Sequence, residues 1–228
     1  MKVNFKLLTI EIAFLFGVIG LALFLAAGTI AWPAGWVFWG LFFVFTLALT
    51  RWLLSYNPGL LTERMTGMGK SDQKSWDKVF YLLANVYFLA WIVVMPLDAV
   101  RFQWTHIPAW LQVVGTAMLL VSFYLFFQVF RENSYLSPAV RLQTDREQTV
   151  VSSGLYHYVR HPMYATAILF LTGTSLLLGS WIGLLMEFFL VLGIAFRAVQ
   201  EEHTLQAELP GYSDYMNQVK YRLIPFVW

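Results

Sequence analysis

Two short clusters carry side chains able to bind and polarise a small charged molecule. One is Arg160-His161-Pro162-Met163-Tyr164, which sets a permanent cation, an imidazole and a phenol at the start of an apolar run. The other is Arg197 with Glu201 and Glu202, near the end of the next apolar run. Arg197 and Glu201 are four residues apart, so on a helix they share a face and can pair or grip a ligand together. A guanidinium at this depth is well placed to hold a carboxylate. Charge at the edge of a bilayer is costly unless it finds a partner. Two such clusters at one membrane face therefore point to a single interfacial site. In the ordinary alternative, Arg160 and His161 are anchors in an aromatic belt with Tyr156, Tyr158 and Tyr164, and Arg197–Glu201 is a surface ion pair worth a few tenths of a kcal/mol.

The elements that must position these clusters are membrane helices. Of 228 residues, 59% are hydrophobic and only 12% charged, too little polar surface to cover a soluble globule. The fold class expected is all-α, a polytopic integral membrane bundle. Runs of about 20 apolar residues suffice to span a bilayer, and six are read at 7–31, 35–54, 79–100, 107–130, 163–178 and 181–200, the fifth being short. Trp32-Pro33-Ala34 and Gly179-Ser180 are such brief links that spans one and two, and five and six, should form hairpins. Pro162 suits the first position of span five, where its missing N–H costs nothing. That start would present free N–H groups and the positive end of the helix dipole as an anion site, flanked by Arg160 and His161. Before it, Val150-Val151 reads as extended and Ser152-Ser153-Gly154 as a turn.

With the N-terminus in the cytoplasm, fourteen of the fifteen lysines and arginines fall on that side and only Arg101 on the other. Both termini and both clusters are then expected to be cytoplasmic. Lys2 and Lys6 precede an apolar run too long for a signal-peptide core, so the first run is read as an anchor. The membrane would be a cell inner or plasma membrane, or the endoplasmic reticulum, depending on source. No repeat or second domain is evident, which leaves one domain over 1–228.

Several classes of chemistry are excluded. The chain has no cysteine, hence no disulfide, iron–sulfur cluster or thiol nucleophile. Its basic residues follow membrane topology and gather on no polar face, so nucleic acid is not expected as a partner. His106, His157, His161 and His203 lack the spacing of a metal site, and no Ser-His-Asp set or GxGxxG turn is present. Gly67-Met68-Gly69-Lys70-Ser71 imitates the end of a phosphate loop, but Arg64 stands where the leading glycine belongs, so it is read as a polar loop. Glu187, deep in span six, is either a functional acid or a protonated structural one. Asp98 and Glu11 are expected to reach water. Tyr212, Tyr215 and Val219 recur at near-helical spacing, which suggests an amphipathic helix along the interface anchored by Trp228.

From about Ser137 to Trp228 the chain resembles the isoprenylcysteine carboxyl methyltransferase family and its wider relatives, among them the phospholipid amine methyltransferases. The resemblance rests on Thr149-Val150-Val151, Gly154-Leu155-Tyr156, Arg160-His161-Pro162-Met163-Tyr164, Arg197 with Glu201-Glu202, Tyr212 with Tyr215, and Arg222 with Pro225. It implies a cytosolic C-terminal cofactor-binding and catalytic region over 137–228, generic transmembrane helices over 1–136, S-adenosylmethionine as cofactor, and a lipid or lipidated acceptor arriving from the bilayer. It further implies that Gln148, Thr149, Val150, Val151, Tyr156, His161, Pro162, Met163, Tyr164 and Glu201 hold the cofactor. Arg197 would bind the acceptor, and Arg197 and Glu201 would serve catalysis, with Arg160, Glu202 and Arg222 as secondary candidates and no metal. Thr166 stands where relatives often carry glycine. The leading expectation is methylation of a carboxylate on an isoprenylcysteine-like or other hydrophobic acceptor. An amine acceptor is the nearest alternative, followed by a nicotinamide-dependent membrane reductase and a small transporter. The oligomeric state is not readable.

Overall fold

The computed structural model describes residues 3–66 and 72–228. Residues 1–2, with Lys2, and 67–71, with Lys70 and the sequence read as a polar loop, lie outside them. All regular structure among the described residues is helical: α1 (Phe5–Ala27), α2 (Pro33–Tyr56), α3 (Pro58–Thr66), α4 (Ser75–Pro96), α5 (Ala109–Glu132), α6 (Pro162–Leu178), α7 (Trp181–Glu208) and α8 (Tyr212–Gln218). Five of these are long and apolar enough to cross a membrane, and α6 is apolar but shorter. The chain is a polytopic helical bundle, as the run lengths imply.

Local chemistry sets the boundaries. Asn4 caps α1, its Oδ1 accepting from the Leu7 amide, and Gly28 ends it in the left-handed region at φ 71°. Pro33 and Pro162 open α2 and α6 at the first helical turn. Gly179 at φ 86° closes α6, and Ser180 caps α7 through the Gly183 amide, so the α6–α7 hairpin turns within two residues. Pro96 ends the regular part of α4, which continues as a wider π turn over Leu97–Phe102.

α6 is the central rod. It packs against α2, α4, α5 and α7, and its second half is buried almost throughout. Its tightest neighbour is α5, where Gly115 faces Gly173: a Cβ at Gly115 would stand 2.6 Å from the Leu177 nitrogen and 2.8 Å from the Gly173 carbonyl oxygen. Small residues at a membrane helix crossing permit that approach. Around it, Leu23, Phe38, Trp91, Leu119, Phe123 and Phe170 form the core, while Phe14, Val44, Leu82, Val113 and Phe188 face outward as an apolar surface suited to lipid.

Two expectations need correcting. α7 runs on to Glu208, so Arg197, Glu201 and Glu202 stand inside a helix, one to three turns before its end. Asp98 does not reach water; it is fully buried and accepts from the Thr105 amide and hydroxyl and the Ser180 hydroxyl, pinning the α6–α7 turn to the end of α4. Val150 and Val151 lie in irregular chain, and a 3-10 turn follows over Gly154–His157. The tail forms the short helix α8, which buries Tyr212 and Tyr215 against Leu142, Val150 and Leu205.

Candidate functional site

The segment between α5 and α6, residues 133–161, folds across the ends of α3, α4 and α7. Arg141 fastens it. This almost fully buried guanidinium donates to both Glu63 oxygens, at 3.0 and 2.9 Å, and to Asp72 at 2.7 Å and Asp145 at 3.1 Å. Burial alone would lower its pKa, but the bonds to Glu63, Asp145 and Asp72 outweigh that and raise it. A second fastening is Asp77, wholly buried in the first turn of α4, which accepts from the Val140 amide at 2.8 Å and from Gln73 at 2.9 Å.

Arg197 joins this junction. Its Nη2 donates to the Pro138 carbonyl at 2.6 Å and lies 3.1 Å from Asp77 Oδ1. The intrahelical Arg197–Glu201 pair suggested by their spacing does not form among the described residues; Asp77 on another helix takes the guanidinium instead. Glu201 accepts from the Tyr164 hydroxyl at 2.5 Å. Arg197 stands 6.0 Å from the Tyr164 ring centre and 5.7 Å from that of Phe80. Tyr164 also stacks on His161, ring centres 5.4 Å apart.

Glu202 points elsewhere. Its carboxylate, 1% exposed, receives Arg160 Nε at 2.6 Å and Arg222 Nε at 2.7 Å, with His161 Nε2 at 3.2 Å. Arg160 also donates to the Val219 carbonyl, and the amides of Arg160 and His161 donate to the carbonyls of Tyr221 and Arg222. This knot ties the start of α6, the end of α7 and the C-terminal segment together. The positive groups read as an anion site at the start of α6 are thus occupied by a carboxylate of the protein itself.

Above the knot and beside Arg197 opens a cavity of about 720 Å³. Gln148, Thr149, Val150, Val151, Tyr156, His161, Met163, Tyr164, Arg160, Arg197 and Glu201 all line it. Pro162, Glu202 and Arg222 do not; Pro162 is buried as the first residue of α6. Gln148 lines it while its Oε1 accepts from the Gln143 amide. Burial pushes the phenols of Tyr156, Tyr212 and Tyr215 above their ordinary pKa, so they stay neutral donors. Tyr156 accepts from Asn133 at 2.8 Å, and Tyr215 donates to the Tyr156 carbonyl at 2.7 Å. The Tyr212 hydroxyl and Arg197 Nε are buried with no hydrogen-bond partner among the described residues. Both residues line the cavity, and an unpaired buried polar atom there fits a polar ligand.

The cavity extends beyond those positions. Leu83, Ala84, Tyr87 and Phe88 from the middle of α4, and Phe189, Leu190 and Gly193 from the middle of α7, continue its wall. It therefore has a polar part under the 133–151 segment and an apolar part between two membrane helices. Sequence reasoning missed Asp77, Asn133, Arg64 and the α4 wall; the signal available was polar residues recurring between spans two and three and, for Asn133, at the end of span four. Thr166 is buried and lies outside the cavity wall, so its departure from glycine falls on helix packing. Glu187 also lies outside it, accepting from Thr172 and Ser175 of α6 as a brace within the hairpin.

Residues 110–209, from α5 through α6 and α7, match the family model described as phospholipid methyltransferase. That family is part of the wider membrane methyltransferase group that includes the isoprenylcysteine carboxyl methyltransferases. No curated protein matches the chain.

Proposed function

We propose that this chain, a membrane methyltransferase by its matched region, transfers a methyl group from S-adenosylmethionine to a carboxylate on a hydrophobic or lipid-attached acceptor. The observation that carries the reading is the cavity itself: Arg197 and Glu201 share one wall, with a polar chamber on one side and an apolar channel between α4 and α7 on the other. A molecule with a charged head and a long apolar body fits that shape, and a polar nucleoside fits the chamber.

S-adenosylmethionine supplies a methyl already activated on a sulfonium, so the protein needs to position and desolvate more than to activate. Arg197 is fixed in place by Asp77 and the Pro138 carbonyl, and its buried Nε is left without a partner within the described residues, a donor an acceptor oxygen would satisfy. Glu201, oriented by the Tyr164 hydroxyl, presents negative charge toward a cation in the chamber. His161, Tyr164, Tyr156 and Tyr212 build the chamber walls, and residues 148–151 close it. Bound there, S-adenosylmethionine would supply the methyl, the oxygen–methyl bond forming as the sulfur–methyl bond breaks, to leave an ester on the acceptor and a neutral thioether. No proton moves, because a carboxylic acid is ionised at neutral pH.

The family description supports a second reading, an amine of a phospholipid headgroup as acceptor. There Glu201 would take the ammonium proton before transfer. The test is binding and label transfer. Purified protein should bind S-adenosylhomocysteine, Glu201→Ala should abolish that binding, and labelled methyl should enter a base-labile ester. Label in a base-stable amine selects the second reading. Binding of NADPH in place of S-adenosylhomocysteine would sink both.

A further inference from the structure

Arg64 is a cation that neither the fold nor the proposed methyl transfer uses. It lies outside the family match, on α3, next to Glu63. Neighbouring helical residues face different directions: Glu63 turns inward to hold Arg141, whereas Arg64 lines the cavity. Its one hydrogen bond among the described residues is long, 3.4 Å from Nη1 to the Leu136 carbonyl, and its guanidinium carbon sits 4.9 Å from the Phe130 ring centre. No carboxylate of a described residue lies within ion-pairing distance of it. The other arginines on the cavity wall are each matched: Arg141 by Glu63, Arg160 by Glu202, Arg197 by Asp77. A guanidinium carries five N–H donors, so most of those on Arg64 remain free for a ligand.

Arg64 acts in the same space as Arg197. Tyr81, on α4, lies within electrostatic reach of both guanidinium groups. Arg64 is exposed by surface area, so its guanidinium is accessible from the cavity it lines, and its charge and that of Arg197 act on each other. Arginine stays charged in such a setting, so two cations line one cavity that runs on between α4 and α7. Like charges lining one cavity repel, and an anion between them relieves that repulsion.

We propose that Arg64 and Arg197 form a clamp for a lipid-borne oxyanion, a carboxylate or a phosphate, with the apolar chain of the same molecule lying along Leu83, Phe88 and Leu190. Arg64 is the member of the clamp that selects for negative charge, since Asp77 already neutralises Arg197. The clamp rests on the methyl-transfer reading for its biological acceptor, but its test needs no turnover.

The full chain in a neutral maltoside detergent is titrated calorimetrically with four dodecyl probes: dodecanoate, dodecyl phosphate, dodecanol and dodecylammonium. The chain length cancels and only the head differs. Wild type should bind at least one anion roughly tenfold more tightly than dodecanol, the worth of one charge-assisted hydrogen bond. Arg64→Gln should erase that preference and Arg64→Lys should keep part of it, with S-adenosylhomocysteine affinity unchanged to within about twofold in each. Where Arg64→Gln does not fold, Arg64→Met, which keeps an apolar stem against Phe130, takes its place. Preference for dodecanoate identifies a carboxylate acceptor, and preference for dodecyl phosphate a phospholipid headgroup. The clamp is overturned by equal binding of anion and alcohol, by a preference that survives loss of the arginine, or by a parallel loss of S-adenosylhomocysteine binding, which would make Arg64 a cofactor residue. Wild type that discriminates anions yet binds no S-adenosylhomocysteine would sink the methyl-transfer reading and leave the clamp standing.

Discussion

Glu202 ends among Arg160, Arg222 and His161, whereas Glu201, one residue earlier on α7, meets the Tyr164 hydroxyl and the cavity. A step of one residue turns a side chain by about 100° around a helix, so the two carboxylates diverge from one backbone into different environments. The Glu202 region is closed: the side chain is 1% exposed with two guanidinium partners, and Arg160 and His161 are bonded in turn to the carbonyls of Val219, Tyr221 and Arg222. The region around Arg197 and Glu201 is open, with Arg197 Nε and the Tyr212 hydroxyl unpaired. Adjacent acids in a sequence thus separate into one that holds the protein together and one left available to bind. The criterion is how completely each charge is satisfied by the protein itself.

Breaking the closed region gives the largest expected effect. Glu202→Gln leaves Arg160 buried without its counter-ion, and removing one partner of such a pair costs about 3–5 kcal/mol. Thermal unfolding in detergent should show a large loss of stability, and the C-terminal segment, held through Arg222 and Arg160, should become sensitive to protease. An unchanged melting temperature would mean that the knot is not structural and that Glu202 belongs with Glu201.

The open region is tested more finely through Arg197. Arg197→Gln removes the partner of Asp77, which is fully buried, so stability falls along with function. Pairing it with Asp77→Asn removes the stranded charge. The double variant should recover stability, while the acceptor KM stays raised by roughly 10- to 100-fold, as expected for a lost charge-assisted bond of about 1.5–3 kcal/mol. S-adenosylhomocysteine affinity should change little. Should acceptor use recover with stability, Arg197 is a brace for Asp77 and residues 138–140 and no more.

The difference between the two regions also marks what a sequence can reveal. Helices and turns were legible because their causes are local: apolar runs, Pro33 and Pro162 at helix starts, Gly28 and Gly179 at helix ends. The clustering of Arg160, His161, Arg197 and Glu201 was legible from motif spacing and membrane topology. Which acid serves which base was not. Arg197 and Asp77 are 120 positions apart, and their meeting depends on α4 packing beside α7, as Glu202 depends on a C-terminal segment returning to it. The i,i+4 rule favoured Arg197–Glu201, and a tertiary contact overrode it. Asp98 looked like a solvated span end because its partners, Thr105 and Ser180, lie in later loops. Arg64 was read only as a flaw in a phosphate-loop pattern, since nothing nearby in sequence shows that α3 folds back under residues 133–137.

Tyr212→Phe gives the smallest effect and separates the regions most sharply. Tyr212 sits against both: its ring is in the α8 core with Tyr215, and its hydroxyl has no described partner. Removing a hydroxyl that makes no bond within the protein leaves packing intact and relieves an unsatisfied buried group, so stability should hold or rise slightly. If that hydroxyl serves the chamber, S-adenosylhomocysteine binding should weaken by several-fold, about 1 kcal/mol for a neutral hydrogen bond. A clear loss of stability with unchanged binding would instead assign Tyr212 to the closed region, as one more fastening of the tail. The opposite signs expected for stability and affinity make the result decisive even though each change is small.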